Sequence, residues 1–257
     1  MIVLSLVILF FILFMIASLI IMLLIAPSRK VNEKMLESST LLQPDYSNLP
    51  GTEFFTARDG SSLPYKFYNS SSDRTLLLLH GGCSDGLYLH MLVNFVSASN
   101  LAKVYIPELR GFGKFSLKKG DIDYVGQICD DLADLIALIK KRHPVRKLIL
   151  GGHSTGGGAA LKFCDSSYRK LVDGYLLFAP MLGFATPLDR KKKDSGASLS
   201  VSYSRYLVLR LLNIIGIRTF NDLAVASYNK PVHEQQSDKD APTWSYRLAA
   251  SLIPGGE

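Results

Sequence analysis

A serine flanked by glycines, Gly152-His153-Ser154-Thr155-Gly156, follows the apolar run Lys147–Leu150 and precedes a stretch with helical periodicity. A serine hydroxyl is a weak nucleophile and must be presented, exposed, to a base. A sharp strand-to-helix turn does this but strains the backbone at Ser154, so its close neighbours must be small. Gly152 and Gly156 supply that room, with His153 a packing residue of the same elbow. The helix that starts after Ser154 points its free N–H groups at the oxyanion of an acyl-transfer intermediate. A second element, His80-Gly81-Gly82, ends the leucine-rich run Thr75–Leu79. An oxyanion hole needs two backbone donors from different segments. The N–H of Thr155 and the N–H of Gly82 are the candidates, with His80 and Gly81 as support for the loop rather than as the base. The competing reading of Gly156-Gly157-Gly158 is a phosphate loop, but the run lacks a following Lys-Ser/Thr and has no dinucleotide-binding spacing.

These residues need a scaffold, and the pattern around them supplies one. Glu53–Ala57 and Leu63–Tyr68 alternate about the turn signal Asp59-Gly60 and predict a hairpin. Thr75–Leu79, Ala102–Ile106, Lys147–Leu150 and Gly174–Ala179 are short apolar runs of the kind buried on both faces of a parallel sheet. Helices are predicted between them over Gly86–Ser99, Asp121–Arg142 and Thr155–Tyr168. The second has Ile122, Val125, Ile128, Leu132, Leu135, Ile136 and Ile139 at spacings of three and four, Asp121 as its cap, and Asp130, Asp131 and Asp134 on its solvated face. Such alternation predicts an α/β fold, a mostly parallel sheet covered by helices. Residues 181 to about 245 break the pattern. They read as an irregular, basic lid insertion with one apolar helix near Tyr203–Ile217, too short to span a bilayer.

The chain has 257 residues, a net charge of +7 and three cysteines. Residues 1–26 carry no charged side chain and would span roughly 38 Å as a helix, longer than the ~30 Å hydrocarbon core. They predict a single-pass N-terminal transmembrane helix with the lipid bilayer as its partner, rather than a cleavable signal, whose apolar region is shorter and follows a positive segment. Arg29, Lys30 and Lys34 then place the following domain in the cytoplasm. Residues 27–51 read as a linker and 52–257 as one domain. The basic runs Lys140-Lys141-Arg142 and Arg190-Lys191-Lys192-Lys193 accompany no nucleic-acid motif, so no nucleic-acid partner is expected. Cys83, Cys129 and Cys164 are odd in number and widely spaced, and suit small residues in or near the core rather than disulfides or zinc. No metal-ligand spacing or cofactor fingerprint stands out.

His80-Gly81-Gly82, Glu108-Leu109-Arg110-Gly111-Phe112-Gly113 and Gly152-His153-Ser154-Thr155-Gly156-Gly157 together resemble the landmarks of one α/β-hydrolase subgroup. It includes the serine aminopeptidase family, monoglyceride lipases and lysophospholipases. Glu108 stands where that subgroup usually has Asp. The resemblance covers about residues 52–250 and implies ester or amide hydrolysis through an acyl-enzyme on Ser154. It also implies an acid and a histidine after the lid, in the chain order Ser…Asp/Glu…His. Only His233 follows Ser154, in a stretch that succeeds no strand, and Asp222, Asp238 and Asp240 likewise follow no apolar run. The expectation is a chain that stops before the last strands, with a small or lipid-like acyl ester as the substrate of the complete protein. The alternatives are a catalytically inactive binding module and an aminopeptidase-like amide hydrolase.

Overall fold

The computed structural model describes residues 2–27, 45–82, 85–184, 198–229 and 243–254. Arg29, Lys30, Lys34, Cys83, the run Arg190–Lys193, His233, Asp238 and Asp240 lie outside the described residues. The uncharged N-terminus forms one helix, α1 (Ile2–Leu24), long and apolar enough to cross a membrane.

A six-stranded sheet follows, built from β1 (Thr52–Thr56), β2 (Ser62–Tyr68), β3 (Arg74–Leu79), β4 (Lys103–Pro107), β5 (Lys147–His153) and β6 (Gly174–Phe178). Its order is β1-β2-β4-β3-β5-β6. The first two strands form the expected hairpin about Asp59-Gly60, pairing Thr52 with Lys66 and Thr56 with Ser62. β4, β3, β5 and β6 are parallel. Helix α2 (His90–Ala98), entered through a 3₁₀ turn at Leu87–Leu89, packs on one face. Helices α3 (Gln127–Arg142) and α4 (Thr155–Asp165) pack on the other. The leucine run of β3 explains why both faces fill. Leu76 and Leu78 point to the α2 face, and Leu77 and Leu79 to the α3–α4 face, because side chains alternate along a strand. All four are buried, each worth about 1.5–3 kcal/mol of apolar burial. β3 is followed by β4 on one side, while β5 returns to its other side. The connections after β3 and β5 therefore run to opposite faces of the sheet, and the carboxyl ends of strands at such a switch are the usual place for a site.

Three expectations are corrected. Helix α3 begins at Gln127 and not at Asp121, because Gly126 has a φ of 99° and ends any continuous helix there. Asp121 is no cap: it binds Arg247 at 2.7 Å. The α3 carboxylates are not a free solvated face. Asp131 is buried and takes two bonds from Arg110 at 2.8 and 2.9 Å, while Arg58 pairs with Asp130 and Asp134. Of the cysteines, Cys129 is buried but Cys164 is exposed.

The region read as an irregular lid has more order than its sequence promised. Helix α5 (Tyr203–Ile214) lies between β7 (Ser198–Val201) and β8 (Ala224–Asn229), which pair antiparallel. β9 (Thr243–Ser245) completes a second, three-stranded sheet. It leads into α6 (Tyr246–Leu252), capped by the Ser245 hydroxyl, which accepts from the Leu248 N–H at 3.1 Å. Leu248, Ala249 and Leu252 of α6 are fully buried in the α3–α4 core.

Candidate active site

Ser154 sits at the end of β5 and opens α4 with φ 55° and ψ −119°, a conformation an L-residue rarely adopts. Neighbours on three sides hold it there. Its N–H donates to the Phe178 carbonyl at 3.0 Å, and its carbonyl accepts from Gly158 at 3.1 Å and Met181 at 2.8 Å. The flanking glycines are required by contact. A Cβ on Gly152 would lie 2.2 Å from the Gly156 carbonyl oxygen, and one on Gly156 would lie 2.5 Å from that of His80. The tight turn and the approach of β3 to α4 thus depend on the same two missing methyl groups.

The loop after β3 closes on this turn. A Cβ on Gly81 would lie 3.4 Å from the Cβ of Ser154, and one on Gly82 would lie 3.3 Å from Oγ1 of Thr155. The residues expected to act together, Gly81, Gly82, Ser154 and Thr155, therefore meet in space. The N–H of Thr155 opens a helix and has no intrahelical partner. The Gly81 N–H is taken by the Tyr88 hydroxyl at 2.8 Å. That hydroxyl also bonds His153 Nδ1 at 2.7 Å, and burial holds the His153 ring below the usual histidine range. His80 is buried, bonds the Gly81 carbonyl through Nδ1 at 2.7 Å, and accepts the Leu109 N–H at Nε2 at 2.9 Å. It ties the loop after β3 to the loop after β4 and holds both ring nitrogens away from Ser154. Burial lowers its pKa, opposed by the bond to Gly81.

The Glu108 loop is the third landmark. Oε1 of Glu108 accepts the Phe115 N–H at 2.9 Å, and burial pushes its carboxyl up. Arg110 reaches back to the hairpin turn, pairing with Asp59 at 2.9 Å as well as with Asp131. One residue near the site escaped sequence reasoning. The chain's single tryptophan, Trp244, lays its ring against Gly82, with Cζ2 only 2.5 Å from where a Cβ would stand, and meets Phe112 edge-on at 5.8 Å. It lies in no periodic run, and nothing in the sequence but its rarity marks it. Trp244 Nε1 and Thr155 Oγ1 are both buried without a hydrogen-bond partner among the described residues. Among the described residues, no histidine or carboxylate side chain bonds the Ser154 hydroxyl. Asp222 is exposed and acts electrostatically on Arg247. No cluster able to hold a metal occurs among the described residues.

A nucleophile-type elbow after a parallel strand, faced by a glycine loop from the neighbouring strand, defines an α/β-hydrolase of the serine-hydrolase type. A family model described as serine aminopeptidase, S33, matches residues 70–243, and the chain belongs to that family. A soluble variant of monoglyceride lipase from Saccharomyces cerevisiae, solved with a substrate analog, has the same fold. It is 17% identical with a TM-score of 0.55, over 87% of this chain and 71% of that one. A thermophilic esterase from Thermogutta terrifontis is 24% identical with a TM-score of 0.43, over 55% of this chain and 50% of that one. An esterase from Pyrococcus furiosus is 20% identical with a TM-score of 0.45, over 62% of this chain and 57% of that one. The chain thus spans about half the length of these two esterases.

Proposed function

We propose that the protein cleaves a carboxylic ester, lipid-like or of small acyl size, through an acyl-enzyme on Ser154. The observation that carries this reading is the strained φ of 55° at Ser154, with Gly81, Gly82 and Thr155 packed around it. Ser154 Oγ attacks the ester carbonyl and its proton passes to a general base. The N–H groups of Thr155 and Gly82 hold the oxyanion of the tetrahedral intermediate. Collapse breaks the C–O bond to the alcohol, which leaves with the proton. Water then adds to the acyl group, and a second collapse releases the carboxylate and restores the serine. The base and the acid are assigned to residues outside those described; His233 is the one histidine after Ser154 in this chain. The domain organisation we infer is an anchor over residues 1–26, a linker to 51 and a hydrolase domain from 52 with its lid at about 181–245. Residues 1–26 cross a bilayer and the hydrolase domain is cytoplasmic.

One observation favours a second reading: the Ser154 hydroxyl has no histidine or carboxylate partner among the described residues. On that reading the chain is a membrane-tethered binding module without turnover. A fluorophosphonate probe separates the two. We expect labelling of the wild-type chain, or of the chain extended by any reading frame after codon 257, and none of Ser154→Ala. Labelling that survives Ser154→Ala, or is absent from both forms, sinks the hydrolase reading. A panel of short acyl esters, monoacylglycerols and aminoacyl amides on the labelled form then separates ester from amide hydrolysis, since the machinery is common and the pocket differs.

A further inference from the structure

The lid helix is fastened to the N-terminal helix. Nε of Arg205 on α5 donates to the Leu23 carbonyl at 2.6 Å, and Nη1 donates to the Ala224 carbonyl at 2.7 Å. Ser202, which precedes α5, donates through its hydroxyl to the Ile25 carbonyl at 2.6 Å. The last carbonyls of a helix have no partner of their own and carry the negative end of its dipole, so an arginine there satisfies both needs. Arg205 is 6% exposed, Pro27 is buried and Leu23 packs on the core. The carboxyl end of α1 is therefore built into the lid instead of hanging from it.

The opposite side of α5 is unlike the surface of a water-soluble domain. Tyr203, Leu207, Leu211 and Ile214 recur at spacings of four, four and three and are 50–70% exposed. The stripe runs on through the exposed Ile215, Ile217 and Phe220, with Arg218 also exposed among them. Contiguous exposed apolar surface of this kind marks an interaction site. An apolar stripe edged by arginine suits the boundary between headgroups and acyl chains. Large apolar side chains are also exposed along α1 from Leu4 to Leu24, and Arg205 and Ser202 join the helix that carries the stripe to the end of α1.

We propose that the α5 stripe and the turn to Phe220 lie in a phospholipid bilayer interface where α1 leaves it, with Arg205 and Ser202 clamping the lid to the anchor. The proposal rests on α1 crossing the bilayer, as inferred above. It gives the lid one fixed orientation to the membrane. Tyr203 donates to the Phe184 carbonyl at 2.9 Å, so the stripe lies one short segment from Met181 and the Ser154 turn.

The test uses the full chain with one added tryptophan, Ile214→Trp, in vesicles of phosphatidylcholine with and without brominated acyl chains. Lys141→Trp, on an exposed position at the end of α3, is the control, and the buried Trp244 gives a constant background. We expect bromolipid to quench the added emission of Ile214→Trp at least twofold and to leave Lys141→Trp unchanged. Arg205→Ala should at least halve the quenching at 214; if that variant does not fold, Ser202→Ala should reduce it in the same direction. Unquenched Ile214→Trp in protein that resists alkaline carbonate extraction overturns this inference and leaves the anchor standing. Extraction by carbonate overturns the anchor and the inference with it. Equal quenching at 214 and 141, or quenching indifferent to both clamp variants, also overturns it.

Discussion

His80 accepts the Leu109 N–H on one nitrogen and bonds the Gly81 carbonyl through the other, so the ring must be neutral with its hydrogen on Nδ1. Adding a proton at Nε2 would break the tie between two site loops. Because the folded pKa lies below the ordinary value of about 6.5, the folded state binds fewer protons than the unfolded one. The stability due to His80 is complete above that value and is lost as pH falls through it towards the folded pKa. We expect the unfolding free energy from urea titrations to drop between pH 7.5 and 5.5 by at most about 1.4 kcal/mol per pH unit from this group, and His80→Asn to flatten that slope. An equal slope in the variant would show that His80 does not set it. At this scale the sequence was most legible where chemistry is local. Ser154, its glycines and the loop at Gly81 and Gly82 are neighbours in sequence or end a strand, and each needs a small residue for a stated reason. Trp244 was illegible because what it does depends on Gly82, far away in the chain.

Elements were read well where two faces had to be filled at once. The leucines of β3 can satisfy two cores only as a buried strand, and the hairpin before them announces its turn. The start of α3 was misread because Ile122 and Val125 continue the apolar period across Gly126, and periodicity does not register a positive φ. The acidic face of α3 was misread because its partners, Arg58 and Arg110, come from loops that no periodicity links to it. Arg110 and Asp131 have side chains only 12% and 11% exposed, and Arg110 also holds Asp59 at the hairpin turn. Removing one member of such a pair leaves the other buried and under-paired. Asp131→Ala should destabilise the domain by about 3 kcal/mol in chemical denaturation, with loss of the hairpin's protection from amide exchange. A change under about 0.5 kcal/mol, the surface-pair range, would mean that Arg110 rests on Asp59 alone.

For the molecule as a whole, the parallel sheet and its helical cover were legible, whereas the second sheet was not. β7, β8 and β9 are three to six residues long, and in runs so short no alternation rises above chance. The cytoplasmic placement proposed above rests on the charges that follow α1, Arg29, Lys30 and Lys34. Cytoplasmic loops are enriched in such cations. Protease added to sealed inside-out vesicles should degrade the domain after α1, while right-side-out vesicles should protect it. The reverse pattern would refute the cytoplasmic assignment.

Tyr88 carries a single hydroxyl hydrogen. With the Gly81 amide bonded to its oxygen, the phenol has one described acceptor left for that hydrogen, Nδ1 of His153, which fixes the imidazole as the tautomer bearing its hydrogen on Nε2. An imidazolium would have to turn its own N–H at the phenol, making the oxygen accept twice and releasing its hydrogen with no described acceptor. The shape of the glycine loop and the ionisation of the residue beside the nucleophile are thus one variable, read out by a phenol that touches both.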